Sequence, residues 1–129
     1  MKAIVLTAVL GVFISMAWAT PPTSISLSYD LDKQSLHVEA IHPSFDLEKS
    51  YVRLMNVYVN GDQQYTQDYF KQNDHNKFTD DVPVTAKEGD LIKVELFCSL
   101  GGDMSQDLKV GKGISTADSD PDEVSSPGG

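Results

Sequence analysis

The chain has 129 residues and a formal net charge of −9, with 10 Lys and Arg against 19 Asp and Glu. That length suits one small domain and is too short for a two-domain enzyme. The charge argues against a protein that binds nucleic-acid backbones, which would need a net basic face. The single cysteine, Cys98, rules out an intrachain disulfide and any CxxC zinc or redox pair.

The first element is a targeting segment. Lys2 supplies a positive end, Ala3 to Met16 is apolar apart from Thr7, Gly11 and Ser15, and Ala17-Trp18-Ala19 is a small-x-small cleavage site. Cleavage is expected between Ala19 and Thr20. The apolar run is shorter than the roughly 20 residues that span a bilayer. Residues 1–19 therefore read as a signal peptide, and the chain is expected to be periplasmic or secreted, with no membrane attachment after cleavage.

Between Ser24 and Val110 the apolar residues recur with period two. Ile25, Leu27 and Tyr29 alternate with serines, and Leu36, Val38 and Ala40 alternate with His37 and Glu39. Tyr51 to Val59 is longer and apolar on both faces, as expected of a central strand, and a wide apolar patch on its outer face (Tyr51, Met55, Val57) would favour a protein partner. Asn60-Gly61 suits a type I′ turn, and Gln63 to Phe70 forms the returning strand. Asp80–Asp81 and Lys87–Asp90 break the chain. Ile92, Val94 and Leu96 alternate with Lys93 and Glu95 in the last clear strand. No helical period of ten or more residues occurs, so the reading is an antiparallel β-sandwich over residues 20–110. Residues 111–129, rich in Gly, Ser, Pro and Asp, read as a disordered acidic tail.

Few residues carry chemistry. His42-Pro43 ends the second strand, since proline cannot donate to a ladder, and leaves His42 at the sandwich rim as a ligand or as a surface histidine. Cys98 opens the turn Cys98-Ser99-Leu100-Gly101-Gly102. A free thiol there is a soft-metal ligand or nucleophile on one reading, and a small buried hydrophobe on the other. His37 has opposite parity to His42 and should point to the opposite face. His75 lies in a polar loop. Asp46 and Glu48 follow His42-Pro43 as hard ligands or solvated carboxylates. No Ser–His–Asp set, phosphate loop or GxSxG elbow is present.

The order of these features resembles the iron-binding domain of the superoxide reductase (desulfoferrodoxin-like) family over roughly Leu36 to Val110. The likeness lies in His42-Pro43, the strand ending Val59-Asn60-Gly61, the segment Lys87-Glu88-Gly89-Asp90, and the turn Cys98 to Gly102, which is similar to the family's Cys-Asn-x-His-Gly. The resemblance implies an immunoglobulin-like sandwich of about seven strands, with iron as cofactor held by four imidazoles and an axial thiolate. Carried over by position, it places the thiolate at Cys98 and one imidazole at His42. Two further imidazoles would fall at Ser50 and Gly101, which carry none, and the remaining ligand and the catalytic lysine have no counterpart. Two metal ligands, Cys98 and His42, remain of five. The expectation is a weak iron site at most, with no catalytic residue.

The stretch Ser50 to Gly61, followed by Gly89 to Val94 and Gly102-Asp103, is also similar to SoxZ, the partner subunit of a sulfur-carrier complex. That resemblance implies a non-catalytic module that binds another exported protein or forms a homodimer.

Overall fold

Alternation places Ile25, Leu27 and Tyr29 on one side of the first strand and Leu36, Val38 and Ala40 on one side of the second, and both sets are buried. The computed structural model describes residues 23–118, so the signal segment 1–19 and the end of the expected tail, 119–129, lie outside the described residues. The strands are β1 (Ser24–Asp30), β2 (Ser35–Ile41), β3 (Val52–Val59), β4 (Asp62–Asp68), β5 (Lys77–Pro83), β6 (Leu91–Cys98), β7 (Asp103–Lys109) and β8 (Ile114–Asp118). They form two four-stranded antiparallel sheets, ordered β5-β2-β1-β8 and β4-β3-β6-β7. The antiparallel all-β sandwich is therefore present, with eight strands among the described residues where about seven were expected.

The core lies between the sheets. Tyr29, Leu36 and Val38 meet Met55, Val57, Ile92, Val94 and Leu96, all at 0% exposure. Tyr29 donates its hydroxyl to the carbonyl of Val84 at 2.6 Å, so this buried phenol is both packed and satisfied. Asn60 and Gly61 take φ of 53° and 91°, the two positive values that a type I′ turn requires.

Three expectations are corrected. Asp80 and Asp81 do not break the chain but sit within β5. Neighbouring residues on a strand face opposite ways, and each aspartate finds its own donor: Asp80 Oδ2 accepts from the Tyr69 hydroxyl, and Asp81 Oδ1 lies 2.6 Å from His37 Nδ1. The expected tail 111–129 contributes β8, which pairs with β1 from Ser26–Asp118 to Asp30–Ile114. Backbone pairing, not apolar content, makes this strand, and Ile114 itself is exposed. Met55 and Val57 face the core and not a partner surface. The reason is a bulge. The β3–β6 register shifts between Val52 and Leu54, so the inward set runs Val52, Met55, Val57, Val59 and breaks strict alternation beside Cys98.

Candidate metal centre

His42 continues the inward parity of Leu36, Val38 and Ala40 one step beyond β2, and so enters the core at 0% exposure instead of standing at the surface. Its amide donates to the carbonyl of Asn76 at 2.9 Å, which ties the end of β2 to the start of β5. Cys98 closes β6 opposite Val52 and is 3% exposed. Its amide donates to Gly102 O at 3.0 Å, and its carbonyl accepts from Gly101 N at 3.1 Å, so the backbone folds back on the cysteine. Gly101 and Gly102 take φ of 111° and 93°, a region open to glycine and strained for other residues.

These placements bring the two sequence-predicted ligands together. His42 Nε2 is in contact with Cys98 Sγ across the two sheets at one end of the sandwich. Burial pushes the Cys98 thiol up to about 11, so at neutral pH the sulfur is protonated. A thiol in that state is a poor nucleophile.

The surrounding loops are held by side chains for which sequence reasoning had no signal. Gln72 is 3% exposed and its side chain makes three bonds. Its Nε2 donates to the carbonyls of His42 and Asp74, both at 2.9 Å, and its Oε1 accepts from Val52 N at 3.2 Å. Ser99 Oγ accepts from Tyr51 N at 3.0 Å and donates to Lys49 O at 2.8 Å, closing the cysteine turn onto the loop before β3. A glutamine in a polar loop carries no periodic or motif signature, so Gln72 could not have been singled out from the sequence.

The other candidates stand apart from the pair. His37 is on the outer face with Asp81 and Glu39, as its parity requires. His75 is exposed and lies 2.7 Å from the carbonyl of Ser44. Asp46 Oδ1 accepts from Glu48 N, so this carboxylate organises its own loop. Among the described residues no group of three or more His, Cys, Asp or Glu side chains is placed to hold a metal ion.

The donor set therefore does not fit the five-ligand iron site that the family resemblance implies. Ser50 is buried at 1% exposure and brings no imidazole, and the backbone of Gly101 is in a conformation that a histidine would strain to adopt. Compared with known proteins, the chain matches no family model, no curated protein and no solved structure. Among the described residues no helix is long and apolar enough to cross a membrane.

The buried thiol has a measurable consequence for stability. Its ordinary value is 9.0 and its folded value about 11. Below pH 9 both folded and unfolded chains keep the proton, and the full stabilisation is present. Between pH 9 and 11 the unfolded chain releases it while the folded chain holds it, so stability falls, by about 2 kcal/mol in all. Tyr29 and Tyr69, both raised chiefly by burial, add to this loss at higher pH. Urea midpoints measured from pH 8 to 11 should fall, and less steeply in Cys98→Ala than in the parent chain. Equal slopes would show that the thiol does not titrate as described.

Proposed function

We propose that this chain is an exported β-sandwich of superoxide reductase-like descent that no longer works as a superoxide reductase, and that Cys98 and His42 survive as a metal site of low affinity for iron. The observation that carries this reading is the contact between His42 Nε2 and Cys98 Sγ, two residues 56 positions apart in sequence. Each occupies the position that the resemblance assigns to a ligand, while serine and glycine stand at two of the other ligand positions. A thiol and one imidazole do not complete a plane of nitrogens around iron, and a buried neutral thiol gives the ion no ready anionic ligand. Anaerobic incubation with ferrous iron followed by oxidation tests this. The expected result is no blue thiolate-to-ferric absorption and no superoxide consumption above that of buffer. A blue band with rapid superoxide loss would overturn the reading.

A second reading is a partner-binding module of the SoxZ kind. It draws support from Phe45 and Phe70, 76% and 77% exposed on the two loops that flank the metal-site end. Those loops are joined by Ser44 N to His75 O at 2.7 Å and Gln72 N to Leu47 O at 2.9 Å. Large exposed aromatics on braced loops are common anchors for another protein. Under this reading Phe45→Ser with Phe70→Ser abolishes capture of a partner from the native compartment without changing the melting temperature. Capture that survives the double substitution would remove it.

A further inference from the structure

The outer face of the β4-β3-β6-β7 sheet carries an ordered set of polar side chains. Met55, Val57, Ile92 and Val94 face the core, so Asn56, Tyr58, Lys93 and Glu95 face outward. The register sets these residues in two rows. In one, Tyr58 lies opposite Lys93 and Lys93 opposite Asp107; in the other, Thr66 lies opposite Asn56 and Asn56 opposite Glu95. Thr66 Oγ1 donates to Asn56 Oδ1 at 2.7 Å, and Tyr58 donates its hydroxyl to Glu95 Oε1 at 3.1 Å. The second bond joins diagonal neighbours, so the Tyr58 side chain leans along the sheet toward Glu95. An aromatic ring and a carboxylate are thereby held in fixed relation on adjacent strands, a more precise support than a loop.

Tyr58, Gly61, Leu91, Lys93, Glu95 and Asp107 line one cleft of about 490 Å³. That volume lies within the about 300–1,000 Å³ of small-ligand sites. Among the described residues, the side chains of Lys93 and Asp107 have no hydrogen-bond or ion-pair partner. An ammonium only donates and a carboxylate only accepts. A ligand hydroxyl matches both at once, accepting from Lys93 while donating to Asp107 or Glu95. The negative face of the Tyr58 ring suits the weakly positive C–H face of a sugar ring. Charge narrows the class. Two carboxylates against one ammonium, in a chain of net charge −9, repel an anionic polymer. A cationic amine would sit beside the Lys93 ammonium, which occupies the middle of its row. Leu91 is the one aliphatic side chain among the lining residues, too little for a protein anchor.

From the Tyr58–Glu95 pair and the flanking Lys93 and Asp107 around one cleft, we propose that this sheet face binds a neutral glycan, one pyranose ring lying over Tyr58 with its hydroxyls shared between Lys93 and the two carboxylates. The cleft adjoins the Asn60-Gly61 turn, and Cys98 pairs with the opposite end of β3 at Val52. The glycan site therefore goes beyond both readings above and depends on neither, and its failure would leave them standing.

Amide NMR titration of the purified chain with cellohexaose, maltohexaose and chitohexaose tests this, with spermine and hexagalacturonate as cationic and anionic probes. The three neutral hexamers cover equatorial, axial and N-acetylated linkages. At least one of them should shift the amides of Tyr58, Lys93, Glu95 and Asp107 with a Kd on the order of 1 mM, as befits one small ring held by a few contacts. Spermine and hexagalacturonate should leave those amides unmoved at the same concentration. Tyr58→Ala and Asp107→Asn should each weaken binding by roughly 10-fold. Mapping on the wild-type chain needs no variant, so it decides the matter even if a variant misfolds. No shift with any neutral hexamer at tenfold that concentration, shifts centred elsewhere, tighter binding of spermine or hexagalacturonate, or unchanged binding in either folded variant would overturn the proposal.

Discussion

Gln72→Leu should lower stability by about 3 kcal/mol. The substitution keeps the volume and removes an acceptor for the Val52 amide and a donor for the carbonyls of His42 and Asp74. Each buried group left without its partner costs about 1–3 kcal/mol, and Gln72 is itself 3% exposed, so little water reaches the gap. For a domain of this size the melting temperature should drop by roughly 10–20 °C. Gln72→Glu keeps the acceptor but sets a buried carboxylate against the two carbonyls, so it should destabilise at least as much as Gln72→Leu. A change of less than about 1 kcal/mol in Gln72→Leu would show that the three bonds do not hold the loops.

Ending the chain at Gly113 should have a comparable effect. That truncation removes β8 and leaves β1 with one neighbour instead of two. Five residue pairs join the two strands, and at about 0.5–1.5 kcal/mol net per hydrogen bond the loss is about 3 kcal/mol. Ending the chain at Asp118 keeps the strand and is the form against which the Gly113 truncation is compared. If the shorter form melts with the longer one, β8 adds nothing to the fold.

These two cases show where the sequence is a good guide and where it is not. β1, β2 and β6 were legible because each buries one face and alternates without interruption. β8 has almost no apolar side chains to bury and exists through backbone pairing with β1, which composition does not record. β5 was hidden because adjacent aspartates resemble a turn, and only their separate donors, Tyr69 and His37, show that each faces its own side. The outer face of β3 was misjudged because the bulge at Val52–Leu54 shifts parity by one residue, something periodicity cannot anticipate.

At the site, His42 and Cys98 were identifiable as a pair through their order along the chain. Their burial was not, because it depends on His42 following the inward parity of β2 past the point where pairing ends. Gln72 was invisible for a simpler reason: its role is set by three backbone groups brought together from distant parts of the chain.

The outermost strands bear on how copies of this molecule meet. β4 carries Asp62 and Asp68, β5 carries Asp80 and Asp81, and β7 carries Asp103 and Asp107. Open strand rims are natural templates for polymerising one sheet onto the next, and here three of the four are fringed with the same sign of charge. Molecules approaching rim to rim repel one another over about 8 Å at physiological ionic strength, and over a shorter range as salt is added. Dilute buffer should therefore keep the protein dispersed, and concentrated salt is the condition under which fibrous or sheet-joined aggregates would first form.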